Sequence, residues 1–344
     1  MKPHGWIILD KPLELGSTQA VGAVKRNLRE AGLLGKGKGK DKLKVGHGGT
    51  LDPLATGVLP IAIGEATKLC GRMLDASKIY EFTVAFGNET DTLDAEGEVT
   101  ETSDHRPTLA EVEAALPKFT GEIEQIPPKY SALKIDGQRA YDLARAGEEV
   151  EMKMRQVKVY SLTICHPREG GDPVPAAVSA ELVSRLRGND KLSEITLRAE
   201  VSKGTYIRSL ARDIARALGT FGHVSMLRRI KAGPFTLKDA ISLDKLNEIG
   251  RGADIEEYLL PLEAGLDDIP ALNLTPDQAR LLRQGQRLSA ADFCGQELIG
   301  NPAIDGLFLA TEEGSPVALA ESADGIIRVI RGFNLQDVRR KTNE

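Results

Sequence analysis

The stretch VGHGGTLDPLATGVLP, Val45–Pro60, places one carboxylate, Asp52, in a loop of small and apolar residues. Its four glycines allow tight turns and a close approach to a ligand, because glycine adopts dihedral angles that other residues avoid. Pro53 restricts Asp52 to an extended conformation, which predicts a rigid elbow that presents the acid. An Asp-Pro pair alone is typical of a turn in which the aspartate caps its own backbone. The long apolar context favours a functional acid, since a sheltered carboxylate is costly unless it is paired.

The cation that neutralises this acid has to come from a distant segment, because no Lys or Arg lies between Lys44 and Lys68. Arg208 is the candidate, since it opens a predicted helix and a guanidinium can pair bidentately with a carboxylate. An arginine on a solvated helix face is an equally weighted alternative. The loop has no second acid for two-carboxylate glycosidase chemistry and no G-x-x-x-x-G-K-[ST] phosphate loop. A nucleophilic or general-base aspartate fits these observations better.

The composition is that of a soluble globular protein. The chain has 344 residues, of which 41% are hydrophobic and 28% charged, which is enough for two domains with a substantial core. No apolar run is long enough to cross a membrane, and the N-terminal apolar stretch is too short for a signal peptide, so we expect a cytoplasmic protein. The three cysteines are scattered and indicate neither a disulfide framework nor a zinc site.

The net charge of −5 hides a polarised distribution. Residues 25–44 contain eight Lys or Arg and two acids, and residues 198–238 contain nine and two. A solvated helix face explains most single clusters, but two clusters on either side of the Asp52 loop favour an anionic polymer as partner. Tyr80 and Tyr206 are notable because aromatic residues are only 4% of the chain. Core packing is their ordinary role, and stacking on an unpaired base is the competing one.

The hydrophobic periodicity predicts a mixed α/β fold. Helices are expected from Ser17, as N-cap, to about Glu30, at Thr108–Leu116 with Thr108 as cap, and at Tyr206–Leu218 with Gly219 as stop. Within the last helix, Arg208, Arg212 and Arg216 are spaced to form a cationic row. From about Leu272, short segments between Gly turns predict a small β-rich domain. The predicted strands are Gly5–Leu9, Val58–Ile63, Ile79–Gly87, Gln156–Ile164, Glu194–Val201, Gly306–Thr311, Pro316–Glu321 and Ile326–Ile330.

The motif quoted above closely resembles the active-site motif of the TruB family, the bacterial tRNA pseudouridine-55 synthases. Four more segments resemble that family in the same order, and the match spans Gly5 to Leu243. They are GWIILDKPLELGST (Gly5–Thr18), IPPKYSALKIDGQRAYDLARAGEEV (Ile126–Val150), VSKGTYIRSLARDIARAL (Val201–Leu218) and HVSMLRRIKAGPF (His223–Phe235). The resemblance implies a pseudouridine synthase fold, with a mixed, largely antiparallel central sheet and a small C-terminal PUA-like β-barrel. It implies a catalytic domain over residues 1–265, with a thumb-like insertion at about 125–152 and a surface insertion at about 166–191, and an RNA-binding domain over 270–335.

The resemblance also implies isomerisation of uridine to pseudouridine at position 55 in the T-loop of tRNA, without metal or organic cofactor. We expect a monomer, although the sequence leaves the oligomeric state open. Carried over by motif position, Asp52 is the nucleophile, with attack at C6 of the ring or at C1′ of the sugar both left open, and Arg208 is its ion-pair partner. Tyr206 contacts the target ring as proton acceptor, and Tyr80 stacks on the flipped uracil. The remaining substrate contacts are His47 against a neighbouring extruded nucleotide, Leu227 in the uracil pocket, and Lys25, Arg29 and Arg212 on phosphates.

Two segments depart from the family pattern, and two alternative functions stay open. Gly35–Lys44 and His166–Lys191 are longer than usual, which leaves open which parts of the RNA the protein contacts.

One alternative function is a tRNA-binding folding chaperone whose catalysis is incidental, although a pure binding protein has no need of the acid. The other is a guide-RNA-dependent pseudouridine synthase, and the thumb-like Tyr130–Val150 segment favours a stand-alone enzyme instead.

Overall fold

The structure is a computed structural model that describes residues 2–34, 43–131, 133–135, 137–148, 151–165, 190–252, 254–289 and 306–335. The predicted basic loop and surface insertion therefore lie largely outside the described residues. The chain divides into two compact units. The first comprises Met1–Pro53, Val58–Leu74 and Gly233–Glu344, and the second Leu54–Gly57 and Asp75–Ala232. The domain bounds 1–265 and 270–335 stay a prediction.

The elements are numbered along the chain. The strands are β1 (Gly5–Lys11), β2 (Val45–His47), β3 (Ala55–Ile63), β4 (Lys78–Phe86), β5 (Asn88–Thr90), β6 (Val99–Thr102), β7 (Gly121–Gln125), β8 (Lys134–Ile135), β9 (Gln138–Arg139), β10 (Arg155–Ile164), β11 (Glu194–Val201), β12 (Gly222–Ala232), β13 (Phe235–Thr236), β14 (Ala271–Asn273), β15 (Leu288–Ser289), β16 (Gly306–Glu312), β17 (Ser315–Ala323) and β18 (Ile326–Gly332). The α-helices are α1 (Ser17–Glu30), α2 (Cys70–Asp75), α3 (Leu109–Ala115), α4 (Ala140–Arg145), α5 (Ile207–Ala217), α6 (Leu243–Gly250) and α7 (Pro276–Arg283). Short 3-10 helices lie at Gly64–Leu69, Leu116–Phe119, Leu237–Asp239, Ile255–Glu257 and Leu262–Leu266.

The second unit is built on a mixed sheet, as the sequence predicted. Its strand order is β3, β12, β4, β11, β10 and β7. Only the β3–β12 pair in this row is parallel, through residues 55–57, and the other pairs are antiparallel. Burial alternates along β11, so one face of the sheet is buried. That face and the apolar stripe of α5 share one core, which includes Phe82, Val84, Leu197, Ala199, Leu210, Ala211 and Ile214.

The first unit contains the N-terminal strand and the C-terminal sheet. Strand β1 is almost wholly buried and lies beside β3, with β2 antiparallel to the end of β3. Further along the chain, β14, β16, β17, β18 and β15 form a five-stranded sheet in that order. Helix α7, capped by the Thr275 hydroxyl, shares a core with this sheet. The β-rich C-terminal region is therefore confirmed as a curled, half-barrel sheet.

Two helix ends agree with the predictions and one does not. Thr108 accepts a hydrogen bond from the Glu111 amide as N-cap of α3, and Gly219 follows α5 with a φ of 73°. The N-cap of α1, however, is Gly16, and Ser17 is the first helical residue. The prediction was wrong by one position because the Ser17 hydroxyl bonds to a distant loop instead of its own helix. Within the described ranges, no helix is long and apolar enough to cross a bilayer.

Candidate active site

Asp52 lies in the first unit, between β2 and β3, and is half-buried. The glycines around it are required by the backbone. Gly49 has a φ of 152° and Gly57 a φ of 100°, values that side-chain-bearing residues rarely adopt. A Cβ at Gly57 would also collide with the carbonyl oxygen of Arg229 on the neighbouring strand. The loop can therefore hold its shape only with glycine at these positions.

The peptide group before Asp52 is anchored by one buried hydroxyl. Ser17 Oγ donates to the Leu51 carbonyl and accepts from the Leu51 amide, both at 2.8 Å. Both residues are buried. Because one side chain satisfies both backbone groups of Leu51, the start of α1 fixes the position from which the acid projects.

The residue after Asp52 is anchored by the turn between β1 and α1. Lys11, with 0% of its surface exposed, donates from Nζ to the carbonyls of Pro12, Leu15 and Pro53 at 2.9, 2.7 and 3.2 Å. The Glu14 amide donates to the same Pro53 carbonyl at 2.9 Å. Together with the Ser17 hydroxyl, these bonds hold both neighbours of the acid.

We expect Ser17→Ala to lower the free energy of unfolding by about 1–3 kcal/mol, because it leaves two buried backbone groups without their partner. Turnover should fall with it, since the anchor of Asp52 is lost, while Ser17→Thr keeps the hydroxyl and should retain most activity. Urea unfolding and a single-turnover assay measure the two effects. Thr18→Ala, a change at the exposed neighbouring residue, is the control. If Ser17→Ala lowers the free energy of unfolding no more than Thr18→Ala does, the anchoring role is contradicted.

The other predicted contacts of the first unit lie in α1 and β2. Lys25 is half-buried and Arg29 is exposed, four residues apart on α1. His47 ends β2, is half-buried, and accepts a long bond of 3.4 Å at Nδ1 from the Gly49 amide. These placements leave all three side chains accessible to solvent, and their contacts to RNA stay predictions.

In the second unit, Arg208 lies at the start of α5 in a buried ion pair that the sequence did not predict. Its Nη1 donates to the Asp94 carboxylate at 3.1 Å and to the Thr92 carbonyl at 2.9 Å, and its Nη2 donates to the Tyr130 carbonyl at 2.9 Å. The two side chains of the ion pair are 7% and 10% exposed. A guanidinium carries five N–H donors, so it can serve more acceptors than these three.

The other two arginines of the predicted cationic row are also paired with acids. Arg212 bonds to Asp213, and Arg216 bonds bidentately to Glu89, which is nearly buried. The Glu89 carboxylate raises the pKa of Arg216 by hydrogen bonding. The spacing on the helix is as predicted, but each positive charge has an acid beside it.

Tyr206 is the N-cap residue of α5 and is held by a side chain from β7. Its amide donates to Gln125 Oε1 at 2.8 Å, and Gln125 Nε2 donates to its carbonyl at 3.1 Å. Gln125 is 2% exposed. Both backbone groups of the predicted proton acceptor are therefore held, although its side chain does not cap the helix.

Tyr80 and Leu227 lie on adjacent strands, β4 and β12, and both pack against the core that α5 covers. The partner of Tyr80 in the strand register is Arg229, which is 1% exposed. Its guanidinium carbon lies 6.0 Å from the centre of the tyrosine ring, and Nη1 lies 3.4 Å from the hydroxyl. A cation at this distance attracts the ring electrons and helps to fix the ring plane.

Lys78, two residues before Tyr80 on β4, is a buried lysine. Burial, and secondarily the charge of Arg229, lower its pKa to about 8. Because the folded protein binds this proton more weakly than the unfolded chain, stability should rise with pH between about 8 and the ordinary lysine value of 10.5. We expect Lys78→Met to remove that part of the slope, measured as free energy of unfolding against pH. Parallel curves for the two proteins would contradict the lowered pKa.

The structure thus assembles the predicted residues as two sets. Asp52, His47, Lys25 and Arg29 belong to the first unit, whereas Arg208, Tyr206, Tyr80, Leu227 and Arg212 belong to the second. The predicted pairing of Asp52 with Arg208 stays a prediction. Among the residues that the structure describes, no group of three His, Cys, Asp or Glu side chains could hold a metal ion.

Comparison with known proteins identifies the same family that the motifs resemble. The sequence profile of the TruB family pseudouridylate synthase N-terminal domain matches residues 38–207, and that of the tRNA pseudouridylate synthase B C-terminal domain matches residues 208–267. A tRNA pseudouridine synthase B of Novosphingobium aromaticivorans is 60% identical over 97% of this chain and 98% of the relative. One from Zymomonas mobilis is 54% identical over 96% of both chains.

Solved structures agree on the fold. A chain from an H/ACA RNP bound to a substrate RNA containing 2'-deoxyuridine is similar with a TM-score of 0.66 and 23% identity, covering 97% of this chain and 86% of that one. A chain from a Cbf5-Nop10-Gar1 complex has a TM-score of 0.65 and 26% identity, with the same coverage. With curated relatives at up to 60% identity along almost its whole length, the chain belongs to the TruB family of pseudouridylate synthases.

Proposed function

We propose that the chain isomerises uridine to pseudouridine at position 55 in the T-loop of tRNA, with Asp52 as the nucleophile. The observation that carries this proposal is the anchored acid: backbone groups of both its neighbours, Leu51 and Pro53, are bonded to buried side chains. A rigid support is needed because a nucleophile misplaced by about 1 Å can lose about a hundredfold in rate. Membership of the TruB family, and relatives named tRNA pseudouridine synthase B, support the reaction and the substrate class.

The chemistry conserves atoms and electrons. The bond between N1 of uracil and C1′ of ribose breaks, and a bond between C5 and C1′ forms. The proton on C5 leaves, and N1 gains one. Asp52 attacks the nucleoside in the first step and is released in the last, so the enzyme ends unchanged. The base has to leave the helical stack for this, at a cost of a few kcal/mol that stacking and backbone contacts offset.

The other residues have roles that match their positions. Arg208 is the ion-pair partner that we assign to Asp52, and Asp94 bonds to its guanidinium. Tyr206 accepts the proton from C5, and Tyr80 stacks on the flipped base with Leu227 lining the same pocket. Aromatic stacking on a base contributes about 1–3 kcal/mol. This would offset the cost of extrusion.

Outside the pocket, cationic side chains and the C-terminal sheet bind the rest of the tRNA. Lys25, Arg29 and Arg212 contact phosphates, His47 packs against a neighbouring nucleotide, and residues 270–335 act as a PUA-like RNA-binding domain. We further infer that the protein acts as a monomer in the cytoplasm and uses no cofactor. Light scattering would test the first point, since one chain should account for the measured mass.

The two alternative functions predict different requirements. A guide-dependent enzyme needs added guide RNA. A folding chaperone with incidental catalysis needs binding but not turnover. Identity of 60% to a relative named tRNA pseudouridine synthase B favours the stand-alone enzyme over both.

Purified protein and an unmodified tRNA transcript, without any other RNA, provide the test. We expect tritium to be released from C5 of the uridine at position 55, and the same from an isolated T-arm hairpin. A transcript in which cytidine replaces that uridine should release none above background. Release only after a guide RNA is added would favour the guide-dependent alternative and reject a stand-alone enzyme.

A further inference from the structure

The first residues of the thumb-like insertion are bonded to the start of α5. We define residues 125–130 as the thumb root. Within it, the Gln125 side chain bonds the Tyr206 backbone, and the Ile126 carbonyl accepts from Ser209 Oγ at 2.8 Å. The Tyr130 carbonyl accepts from Arg208 at 2.9 Å. Gln125, Ile126 and Tyr130 of the thumb root thus bond to residues at the start of α5, where the proposed active-site residues Tyr206 and Arg208 lie.

The contact of Gln125 is the most specific of these. Its amide donates and accepts at the two backbone groups of a single residue, as a neighbouring β-strand would. Gln125 ends β7, and Tyr206 has an extended backbone with φ −100° and ψ 112°. Because Gln125 is buried, losing either bond leaves a polar group of its side chain without a partner.

The far end of the root is held as well. The Tyr130 carbonyl accepts from Arg208, and the Asp91 carboxylate lies near the Tyr130 hydroxyl. Burial, followed by the charge of this carboxylate, raises the pKa of the Tyr130 hydroxyl. Asp91 lies three residues before Asp94, the acid that holds Arg208. The root and the arginine are therefore supported by the same turn after β5.

We propose that Gln125 is a positioning residue for the reaction, which holds the Tyr206 backbone and thereby transmits the position of the thumb root to the proposed catalytic groups. This inference rests on the proposed function, because it assumes that Tyr206 and Arg208 serve the reaction. It adds a residue to which the family motifs quoted above assign no role.

Three variants separate positioning from packing. Gln125→Leu keeps a side chain of similar size and removes both hydrogen bonds. Gln125→Glu keeps the acceptor for the Tyr206 amide and loses the donor, and a protonated carboxyl restores that donor. Glu124→Leu is the matched control, because Glu124 is the exposed neighbour on the same strand.

We expect Gln125→Leu to lower the single-turnover rate on bound tRNA by about a hundredfold, as for a catalytic group misplaced by about 1 Å. Affinity for tRNA should change little, and Glu124→Leu should match the parent. For Gln125→Glu, the rate relative to the parent should rise as the pH is lowered from 8 to 6, because burial raises the pKa of the introduced carboxyl and protonation restores the second bond. A packing role alone would not give this pH dependence.

Hydrogen exchange provides a readout that needs no turnover. The Tyr206 amide should exchange faster in Gln125→Leu than in the parent or Glu124→Leu, since its acceptor is gone. A parent rate for Gln125→Leu per folded molecule, or a Gln125→Glu rate ratio independent of pH, would overturn the inference. If the parent itself forms no pseudouridine, the proposed function is rejected. If exchange at the Tyr206 amide is unchanged in Gln125→Leu, only the positioning role is rejected.

Discussion

The Asp52→Asn variant should form no pseudouridine in tRNA above background, while its affinity for tRNA stays within a few-fold of the parent. An amide has nearly the shape of the carboxylate but is neither charged nor nucleophilic, so the loop and its anchors at Leu51 and Pro53 should persist. Tritium release from C5 under single-turnover conditions measures the chemistry, and filter binding measures the affinity. The largest single loss of activity is expected here.

A matched acid shows whether the effect belongs to position 52. Asp268 is 67% exposed and pairs with Arg72 at the surface of the same unit. Such pairs contribute roughly 0–1 kcal/mol, so Asp268→Asn should behave like the parent in both assays. Measurable turnover by Asp52→Asn would assign the attack to another group.

The largest expected loss of stability follows from Asp94→Ala. The variant leaves the Arg208 guanidinium buried without its carboxylate, and breaking one partner of a buried ion pair costs about 3–5 kcal/mol. Turnover should also fall, because Asp94 is one of the groups that hold the arginine in place. Urea unfolding and single-turnover rates measure the two effects.

A double-variant cycle separates the loss of the Asp94 charge from the loss of packing. Adding Arg208→Met to Asp94→Ala removes the buried cation that has lost the Asp94 carboxylate, and should recover part of the stability but none of the activity. Lys203→Ala, which breaks an ion pair with both side chains 65% exposed, should change stability by no more than roughly 1 kcal/mol. Equal costs for Asp94→Ala and Lys203→Ala would show that burial does not strengthen the Arg208 pair.

Local pattern was sufficient for much of the fold. The alternation of Glu194–Val201 predicted the bounds of β11, and the capping signals at Thr108 and Gly219 predicted two helix ends. These features depend on neighbouring residues, so a single sequence carries them. Strand β12 was not predicted because its polar and charged residues, among them the buried Arg229, interrupt the apolar pattern.

Local sequence pattern does not identify contacts between residues that are distant in sequence. Asp94 lies 114 positions from Arg208, and no local pattern distinguishes this acid from the acids around it. Gln125 lies 81 positions from Tyr206, and Ser17 lies 34 from Leu51. A neutral amide or hydroxyl side chain produces no recognisable sequence pattern, and only the fold shows to which backbone groups it bonds.

The most direct test of the proposed function is a position-by-position map of pseudouridine in tRNA from cells that lack this protein. We expect the modification to be missing at position 55, to return when the parent gene is restored, and to stay missing with Asp52→Asn. Full modification at that position in the deletion strain, or its return with Asp52→Asn, would contradict the role assigned to this acid and to the chain.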